Sequence, residues 1–185
     1  FPTPVRIYRA PTMFPMLRKI VRTGIISEAP PEADEDLRVT AQQLSAAMQK
    51  EIGRALVIRH IDAGSCNGCE LEIHALNNAF YDLERFGIRF VASPRHADVL
   101  LVTGPVTWNK REGQERTHAA TPSPKWVVAV GDCGFDGGIF AGSYAVAGGV
   151  SAVVPVDLHI RGCPPTPTQL LSGLLALLNA AGQER

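Results

Sequence analysis

Four cysteines are the residues of this 185-residue chain whose type and spacing point most directly to chemistry. Cys66 and Cys69 form a C-x-x-C pair, whereas Cys133 and Cys163 each stand alone further along the chain. Thiolates bind zinc and iron, and paired thiols also form redox-active disulfides. Four cysteines are too few to be the disulfide scaffold of a chain this long, so a metal or redox site is the more informative interpretation.

Three kinds of site compete on spacing alone. A thioredoxin-type redox pair would use Cys66 and Cys69 and would leave the other two cysteines without a role. A structural zinc site usually takes its ligands as two close pairs, and here a single pair is joined by two lone cysteines. An iron–sulfur cluster needs four thiolates around a larger inorganic body, which suits ligands from separate loops. Spacing favours the cluster, while zinc and inert core thiols stay open.

The segments that carry these cysteines alternate between strands and helices from residue 55 onwards. Apolar runs predict strands at 55–61, 88–92, 98–103, 125–130 and 153–156. Helices are predicted at 67–86, 112–120 and 166–178, with a short one within 138–147. Nearly continuous apolar strands that alternate with helices indicate a parallel sheet covered on both faces. We therefore expect an α/β fold with a flavodoxin-like, doubly wound parallel sheet of four or five strands.

This fold would bring the four cysteines to one place. Cys66 and Cys69 follow the first predicted strand, Cys133 follows the fourth, and Cys163 precedes the last helix. Loops that follow the strands of an open parallel sheet gather at its carboxyl edge, where ligands bind. The sequence therefore predicts that thiols distant along the chain converge on one point.

The residues around the cysteines favour the cluster. The loop after the fourth strand reads G-D-C-G-F-D-G-G-I-F-A-G, and glycines let backbone approach a bulky group closely. Cys69 lies in the predicted first turn of its helix, where the helix dipole favours a thiolate. Cys163 is followed by Pro164 and Pro165, which stiffen its loop.

The first 54 residues differ from the rest and form a predicted N-terminal helical arm. Met16, Leu17, Ile20 and Val21 recur at helical spacing among basic residues, and a second helix is predicted at 36–52. Such a basic amphipathic segment is typical of contact with a membrane surface or a partner protein, although packing on its own domain explains it equally. We expect residues 1–54 to form this arm and residues 55–185 to form the flavodoxin-like domain.

Charge and motifs exclude several function classes. The formal net charge is zero, so nucleic acid is not expected as a partner. No secretory signal and no apolar stretch long enough to span a membrane is present. No G-x-G-x-x-G follows the first strand and no Walker loop occurs, which argues against a nucleotide or flavin. His60, in the first strand, is predicted to be a packed core residue.

Four motifs together resemble one protein family. They are G-S-C-N-G-C-E-L-E at 64–72, S-P-R-H-A-D-V-L-L-V-T-G at 93–104, G-D-C-G-F-D-G-G-I-F at 131–140 and V-P-V-D-L-H-I-R-G-C-P-P-T-P at 154–167. They resemble the small, iron–sulfur subunits of group 4 membrane-bound nickel–iron hydrogenases, and the homologous 20 kDa cluster subunit of respiratory complex I. Formate hydrogenlyase-type hydrogenases are the most similar members. The likeness covers about residues 55–178.

The resemblance implies one 4Fe–4S cluster, bound by Cys66, Cys69, Cys133 and Cys163, in a subunit with no active site of its own. In the hydrogenases this cluster lies beside the nickel–iron site of a large catalytic subunit, and in complex I it passes electrons to quinone. The partners implied are that large subunit, a ferredoxin-like multi-cluster subunit, and antiporter-like and anchor subunits in the membrane. A peripheral position on the cytoplasmic side of the cell membrane follows.

Details of the motifs favour hydrogenase over quinone reductase. Complex I subunits carry adjacent cysteines at the first position, whereas Cys66 and Cys69 have the hydrogenase-type spacing.

Uptake hydrogenases place a glutamate two residues after the second cysteine, where this chain has Leu71 between Glu70 and Glu72. A proton-transfer role for either glutamate is one hypothesis, and a solvated or arginine-paired carboxylate is the other. A zinc-stabilised assembly module without redox activity is the remaining alternative.

Overall fold

The computed structural model of the protein describes residues 13–24 and 35–183. Packing divides the chain between residues 33 and 34, so that one unit contains helix α1 (Met13–Thr23) and the other contains everything from Glu35 onwards. The helical N-terminal region is therefore confirmed, with Gly24 at its end in the left-handed conformation (φ 67°). The role predicted for residues 1–54 as a contact segment stays a prediction.

The second unit contains a sheet with flanking helices. They are α2 (Glu35–Glu51), α3 (Gly68–Ala75), α4 (Trp108–Ala120), α5 (Gly131–Asp136) and α6 (Pro167–Gln183). The strands are β1 (Leu56–Asp62), β2 (Ile88–Phe90), β3 (Val99–Thr103), β4 (Val106–Thr107), β5 (Trp126–Val130), β6 (Val146–Gly148) and β7 (Leu158–Ile160). Single 3-10 turns occur at Leu83–Phe86, Pro94–His96, Gly138–Phe140 and Val150–Ala152. Of the helices within 13–24 and 35–183, none is long and apolar enough to cross a membrane.

Five strands form one parallel sheet in the order β2-β1-β3-β5-β7. Counted along the chain, this is the order 2-1-3-4-5 of flavodoxin-like sheets. The order reverses at β1, so the loops after β1 and β3 leave a crevice at the carboxyl edge. The predicted fold class is confirmed, and a short antiparallel pair, β4 with β6, is added beside the sheet.

Both faces of the sheet are buried. Neighbouring residues along β3 point to opposite faces, and Leu101 lies in one apolar core while Leu100 and Val102 lie in the other. This explains why the predicted strands read as continuous apolar runs rather than alternating ones. Helix α2 contributes Leu44 and Met48 to the first core, so it packs with the sheet.

Two predicted elements are placed differently in the structure. The fifth strand lies at 158–160 rather than 153–156, because Val154 packs into the second core from a loop while Leu158 pairs with Val128. The helix predicted at 67–86 ends at Ala75. The side chain of Asn78 then accepts hydrogen bonds from the backbone N–H groups of Phe80 and Tyr81, at 2.8 and 3.0 Å, which holds a turn instead of a helix.

Candidate functional site

The four cysteines lie together at the carboxyl edge of the sheet. Cys66 lies in the loop after β1, Cys69 in the first turn of α3, Cys133 in α5 directly after β5, and Cys163 in the loop after β7. All four line one cavity of about 100 Å³, together with Ser65, Gly68, Gly104, Gly131, Asp132, Gly162 and Pro164. Parallel topology alone brings these loops to one edge, as the sequence predicted.

The thiols surround the cavity and are not linked to one another. All four are free cysteines, and they differ in exposure, since Cys133 is buried, Cys69 is half-buried, and Cys66 and Cys163 are exposed. Among residues 13–24 and 35–183, no group of three or more His, Cys, Asp or Glu side chains is placed to hold a single metal ion. The four thiols are soft donors that line one cavity, and this set of residues is called the thiol ring below.

Bare thiolates are disfavoured in the thiol ring. Burial, together with the charges of Glu70 and of the other three cysteines, raises the pKa of Cys69 to about 12. Burial likewise raises the pKa of Cys133, with Cys163 and Cys66 contributing. The helix dipole expected to favour a thiolate at Cys69 is therefore outweighed by desolvation. Four thiolates would need a bound cation to compensate their charge.

Glycines bring the backbone close to the sulfurs. Gly131 has a φ of 84°, and a Cβ there would lie 2.8 Å from Cys69 Sγ. Gly138 has a φ of 50°, and a Cβ there would lie 3.0 Å from Cys133 Sγ. A side chain at either position would occupy space that the thiol uses. The glycine-rich stretch is thus fitted to the cysteines and is more than a flexible turn.

Asp132 joins two of the cysteine loops. Its Oδ1 accepts a hydrogen bond from Arg161 Nε at 2.6 Å, and its backbone N–H donates to Gly162 O at 2.9 Å. The Arg161 hydrogen bond lowers the pKa of Asp132, and the guanidinium also stacks 4.1 Å from the ring of Phe135. These contacts hold the segment bearing Cys133 against the segment bearing Cys163.

Asp62 holds the loop that leads to Cys66. Its Oδ1 accepts hydrogen bonds from the backbone N–H groups of Gly64 and Ser65, both at 2.8 Å. Burial opposes ionisation of Asp62, but these two hydrogen bonds and the charge of Lys110 outweigh it and lower its pKa. No sequence motif singled out this residue. Its signal in the sequence is a polar residue at the last position of the strand, and Thr103 occupies the same position in β3.

Glu70 connects α3 to the strand ends beneath the cavity. Its Oε1 accepts hydrogen bonds from Ser65 Oγ at 2.5 Å and from Thr103 Oγ1. His60 Nε2 lies 2.9 Å from the same Thr103 oxygen and 3.7 Å from Glu70 Oε1. Of the two glutamates that follow Cys69, Glu70 is the buried one, and Glu72 is half-buried. Glu70 therefore orients the helix that carries Cys69.

His60 is part of this polar group and is not simply a packed core residue. Burial lowers the pKa of His60, which outweighs the opposite effect of Glu70 and Asp62. A second cavity, of about 310 Å³, borders His60 and Glu70, with Arg59 and His74 on its wall. Within the described part of the chain, Glu70 Oε2 is buried and has no hydrogen-bond partner.

Comparison with known proteins agrees with this architecture. The family model described as the 20 kDa subunit of NADH ubiquinone oxidoreductase matches residues 66–177, which include all four cysteines. Formate hydrogenlyase subunit 7 of Escherichia coli is 45% identical over 141 residues, or 76% of this chain and 55% of the relative. The match thus spans only about half of that relative.

Two further relatives represent hydrogenases and quinone reductases. The probable membrane-bound hydrogenase subunit mbhJ of Pyrococcus furiosus is 44% identical over 72% of this chain and 80% of its own length. An NADH-quinone oxidoreductase subunit from Heliobacterium modesticaldum is 44% identical over 59% of this chain and 63% of its own length. The resemblance predicted from the four motifs is confirmed.

A solved structure shares the fold. It is that of the membrane-bound sulfane sulfur reductase, an archaeal respiratory membrane complex. One of its chains superposes with a TM-score of 0.63 at 34% identity, over 77% of this chain and 76% of that one.

Proposed function

Since the chain belongs to the family of the 20 kDa subunit of NADH ubiquinone oxidoreductase, we propose that it is the electron-transfer subunit of a membrane-associated oxidoreductase. In this proposal Cys66, Cys69, Cys133 and Cys163 bind one 4Fe–4S cluster. The observation that carries it is the cavity at the carboxyl edge of the sheet, lined by all four thiols. The same observation leaves no cysteine over for a second cluster.

The residues present fit such a cluster. Thiolates are its usual ligands, and four of them around a cavity of about 100 Å³ suit a multi-iron body better than a single ion. Gly131 and Gly138 keep the backbone clear of the sulfurs. When bound, the cluster would supply one-electron transfer. The chain itself would hold the ligands, limit the access of water and set the charge around them.

The thiols would lose their protons when they bind metal. Burial raises the pKa of Cys69 and of Cys133, so both are protonated at neutral pH in the metal-free chain. Metal binding would therefore release protons, and a higher pH would favour assembly. Hydrogen bonds of Asp62, Asp132 and Glu70 would position the loops that bear the thiols.

Within this class we propose a hydrogenase subunit, with the cluster next to the nickel–iron site of a large catalytic subunit. The C-x-x-C spacing of Cys66 and Cys69 supports it, as do the formate hydrogenlyase and membrane-bound hydrogenase relatives. A ferredoxin-like multi-cluster subunit would exchange electrons with this chain. Antiporter-like and anchor subunits would tie the complex to the cytoplasmic side of the membrane.

Quinone reduction is the second candidate. The quinone oxidoreductase relative is 44% identical over 110 residues, which is almost the same identity as for the hydrogenase relatives. The similarity to a sulfane sulfur reductase chain further supports an electron carrier whose acceptor is set by its partner. In every case the acceptor would lie in another subunit, and this chain would deliver electrons.

Metal analysis of the native complex, isolated through this subunit, separates these candidates. Iron together with about one nickel per complex is expected for the hydrogenase. Iron without nickel would move the function to quinone or another acceptor while keeping the cluster. Stoichiometric zinc without iron would overturn the proposal and support an assembly module.

The ligand assignment has its own test. Cys133→Ala is expected to lose or degrade the cluster, because three thiolates leave one iron open to water. Ser151→Ala, at an exposed serine outside the cavity, is the control and is expected to keep full iron content. Iron per chain and the electron paramagnetic resonance signal of the reduced protein are measured in both. An intact, fully active cluster in Cys133→Ala would refute the assignment.

A further inference from the structure

Helix α1 carries five large apolar side chains, all of them exposed. Phe14, Met16, Leu17, Ile20 and Val21 are 80, 63, 51, 58 and 82% exposed. By contrast, the apolar stripe of α2 is buried against the sheet unit, and its one large exposed apolar residue is Val39. An exposed apolar face of this size marks a binding surface.

The charged residues on the opposite face of α1 are all basic. At roughly 100° per residue, the five apolar side chains fill an arc of about 160°. Arg18, Lys19 and Arg22 lie in the remaining arc, and the helix contains no acidic residue. The apolar arc is wider than the narrow seam of a coiled coil, and the polar face has one sign of charge only.

We propose that α1 lies on an anionic lipid surface, with its axis in the plane of the membrane. Its apolar face would enter the boundary between headgroups and acyl chains, and its basic residues would contact anionic headgroups. Eleven residues make a helix about 16 Å long, which suits lying on a bilayer and not crossing it. A basic polar face opposite a wide apolar arc is the pattern of interfacial helices.

Charge favours lipid over a coiled-coil partner. The flanking positions of coiled coils usually combine Glu and Lys, and their salt bridges set the partner and its orientation. Three cations without an anion instead match a surface of uniform negative charge. The inference goes beyond the proposed electron-transfer function and does not depend on the cluster, since the cysteines lie in the other unit.

Vesicle flotation of the full chain tests this inference. Vesicles of phosphatidylcholine with an equal part of phosphatidylglycerol are compared with vesicles of phosphatidylcholine alone. Binding is expected only to the anionic vesicles and is expected to weaken as salt rises. Equal binding to both vesicle types, or binding to neither, would overturn the proposal.

Two variants of α1 and two matched controls sharpen the test. Arg18→Gln with Lys19→Gln and Arg22→Gln is expected to weaken partition into anionic vesicles by about 100-fold. Leu17→Gln with Ile20→Gln is expected to abolish it. The charge control, Arg89→Gln with Arg95→Gln, and the apolar control, Val39→Gln, change exposed residues outside α1 and are expected to leave partition unchanged.

The results distinguish a lipid partner of α1 from a protein partner. They also distinguish a failure of the lipid proposal from a failure of the electron-transfer function proposed above. If the α1 variants lose a co-purifying subunit while vesicle partition stays at the wild-type level, α1 docks on a protein and the lipid proposal is wrong. Iron per chain is measured in every variant as a check on the sheet unit. Normal iron without vesicle binding overturns only the lipid proposal, whereas absent iron with vesicle binding overturns only the cluster.

Discussion

Replacing Gly131 by alanine tests whether the segment after β5 is shaped around the Cys69 sulfur. The new Cβ would lie 2.8 Å from Cys69 Sγ and 3.4 Å from Gly162 O. Contacts under 3.0 Å do not persist, so either the thiol or the backbone at Gly131 must move. Movement of the thiol changes the arrangement of the four cysteines, and movement of the backbone shifts α5 together with Cys133.

The magnitude follows from two effects. The φ of 84° at Gly131 is left-handed, which costs a residue with a Cβ about 1–2 kcal/mol. Forcing a methyl group into a well-packed site costs about 1–3 kcal/mol more. We therefore expect Gly131→Ala to lower the free energy of unfolding of the metal-free chain by about 2–5 kcal/mol. This is a large part of the stability of a typical domain.

Gly134→Ala is the matched control, three residues along the same helix. A Cβ there would lie 3.6 Å from atoms of Ala129 and 3.7 Å from Val102 O, which are ordinary contacts. Its backbone is outside the left-handed region, and alanine favours a helix over glycine by up to about 1 kcal/mol. This variant is expected to keep wild-type stability or to gain slightly.

Urea unfolding of both metal-free variants, followed by iron per chain after reconstitution, is the assay. Gly131→Ala should unfold at lower urea and bind less iron, and Gly134→Ala should match the wild type in both. Equal stability and equal iron content in the two variants would refute the view that position 131 must be glycine because its backbone lies close to Cys69 Sγ.

Three further predictions concern the residues around the site and the sheet. Asp98→Ala should cost about 1–3 kcal/mol in urea unfolding, because it leaves the buried N–H of Val57 without its 3.1 Å acceptor; an unchanged midpoint would contradict this. Burial lowers the pKa of His60 from 6.5, so the unfolded chain binds a proton more readily and stability falls as pH drops below 6.5. The free energy of unfolding of His60→Gln should therefore fall less than that of the wild type as the pH drops below 6.5. An identical pH dependence in the two proteins would contradict this prediction. Glu70→Gln removes a carboxylate next to Cys69, so the reduction potential of the proposed cluster should rise, as measured in a redox titration followed by paramagnetic resonance; an unshifted potential would contradict this.

Much of the fold could be predicted because the sheet is buried on both faces. Runs such as 98–103 and 125–130 are mostly apolar without alternation, which is the pattern of parallel strands covered on both faces. Parallel strands place the following loops at one edge, so the meeting of Cys66, Cys69, Cys133 and Cys163 at one cavity follows from topology. Neither conclusion needs a side-chain contact.

The misplaced elements have local causes that apolar patterns do not show. At 153–156 the chain is as apolar as a strand, yet Val154 is buried by packing from a loop, and the sheet pairs the next segment instead. At Asn78 a side-chain hydrogen bond replaces the helix, although apolar residues continue at helical spacing beyond it. Burial and hydrogen-bonded backbone pairing are separate requirements, and spacing reports only the first.

The polar contacts that support the cysteine loops could not be predicted from the sequence, for a different reason. Thr103 and Glu70 are 33 residues apart, and Asp132 and Arg161 are 29 apart, so each contact depends on the final register of the sheet. Strand pairing sets that register, since Asp62 lies opposite Thr103 at the ends of β1 and β3. In the sequence, the only sign of these contacts is the polar residue at the end of each of the two strands.

The exposure of the four cysteines indicates how the proposed cluster site would work in a complex. Cys133 is buried, but Cys66 and Cys163 are exposed, so the thiol ring is closed on the sheet side and open on the other. Next to the opening, Ile139 is 83% exposed and borders a cavity of about 410 Å³ shared with Cys133 and Cys163. An electron carrier needs one side within tunnelling range of its partner and needs shelter from water on the rest. A cluster assembled on the isolated chain should therefore decay faster in air than in the native complex, as followed by absorbance at the iron–sulfur band. Equal lifetimes would mean that this chain alone shelters the cluster, and that the open side is not where a partner sits.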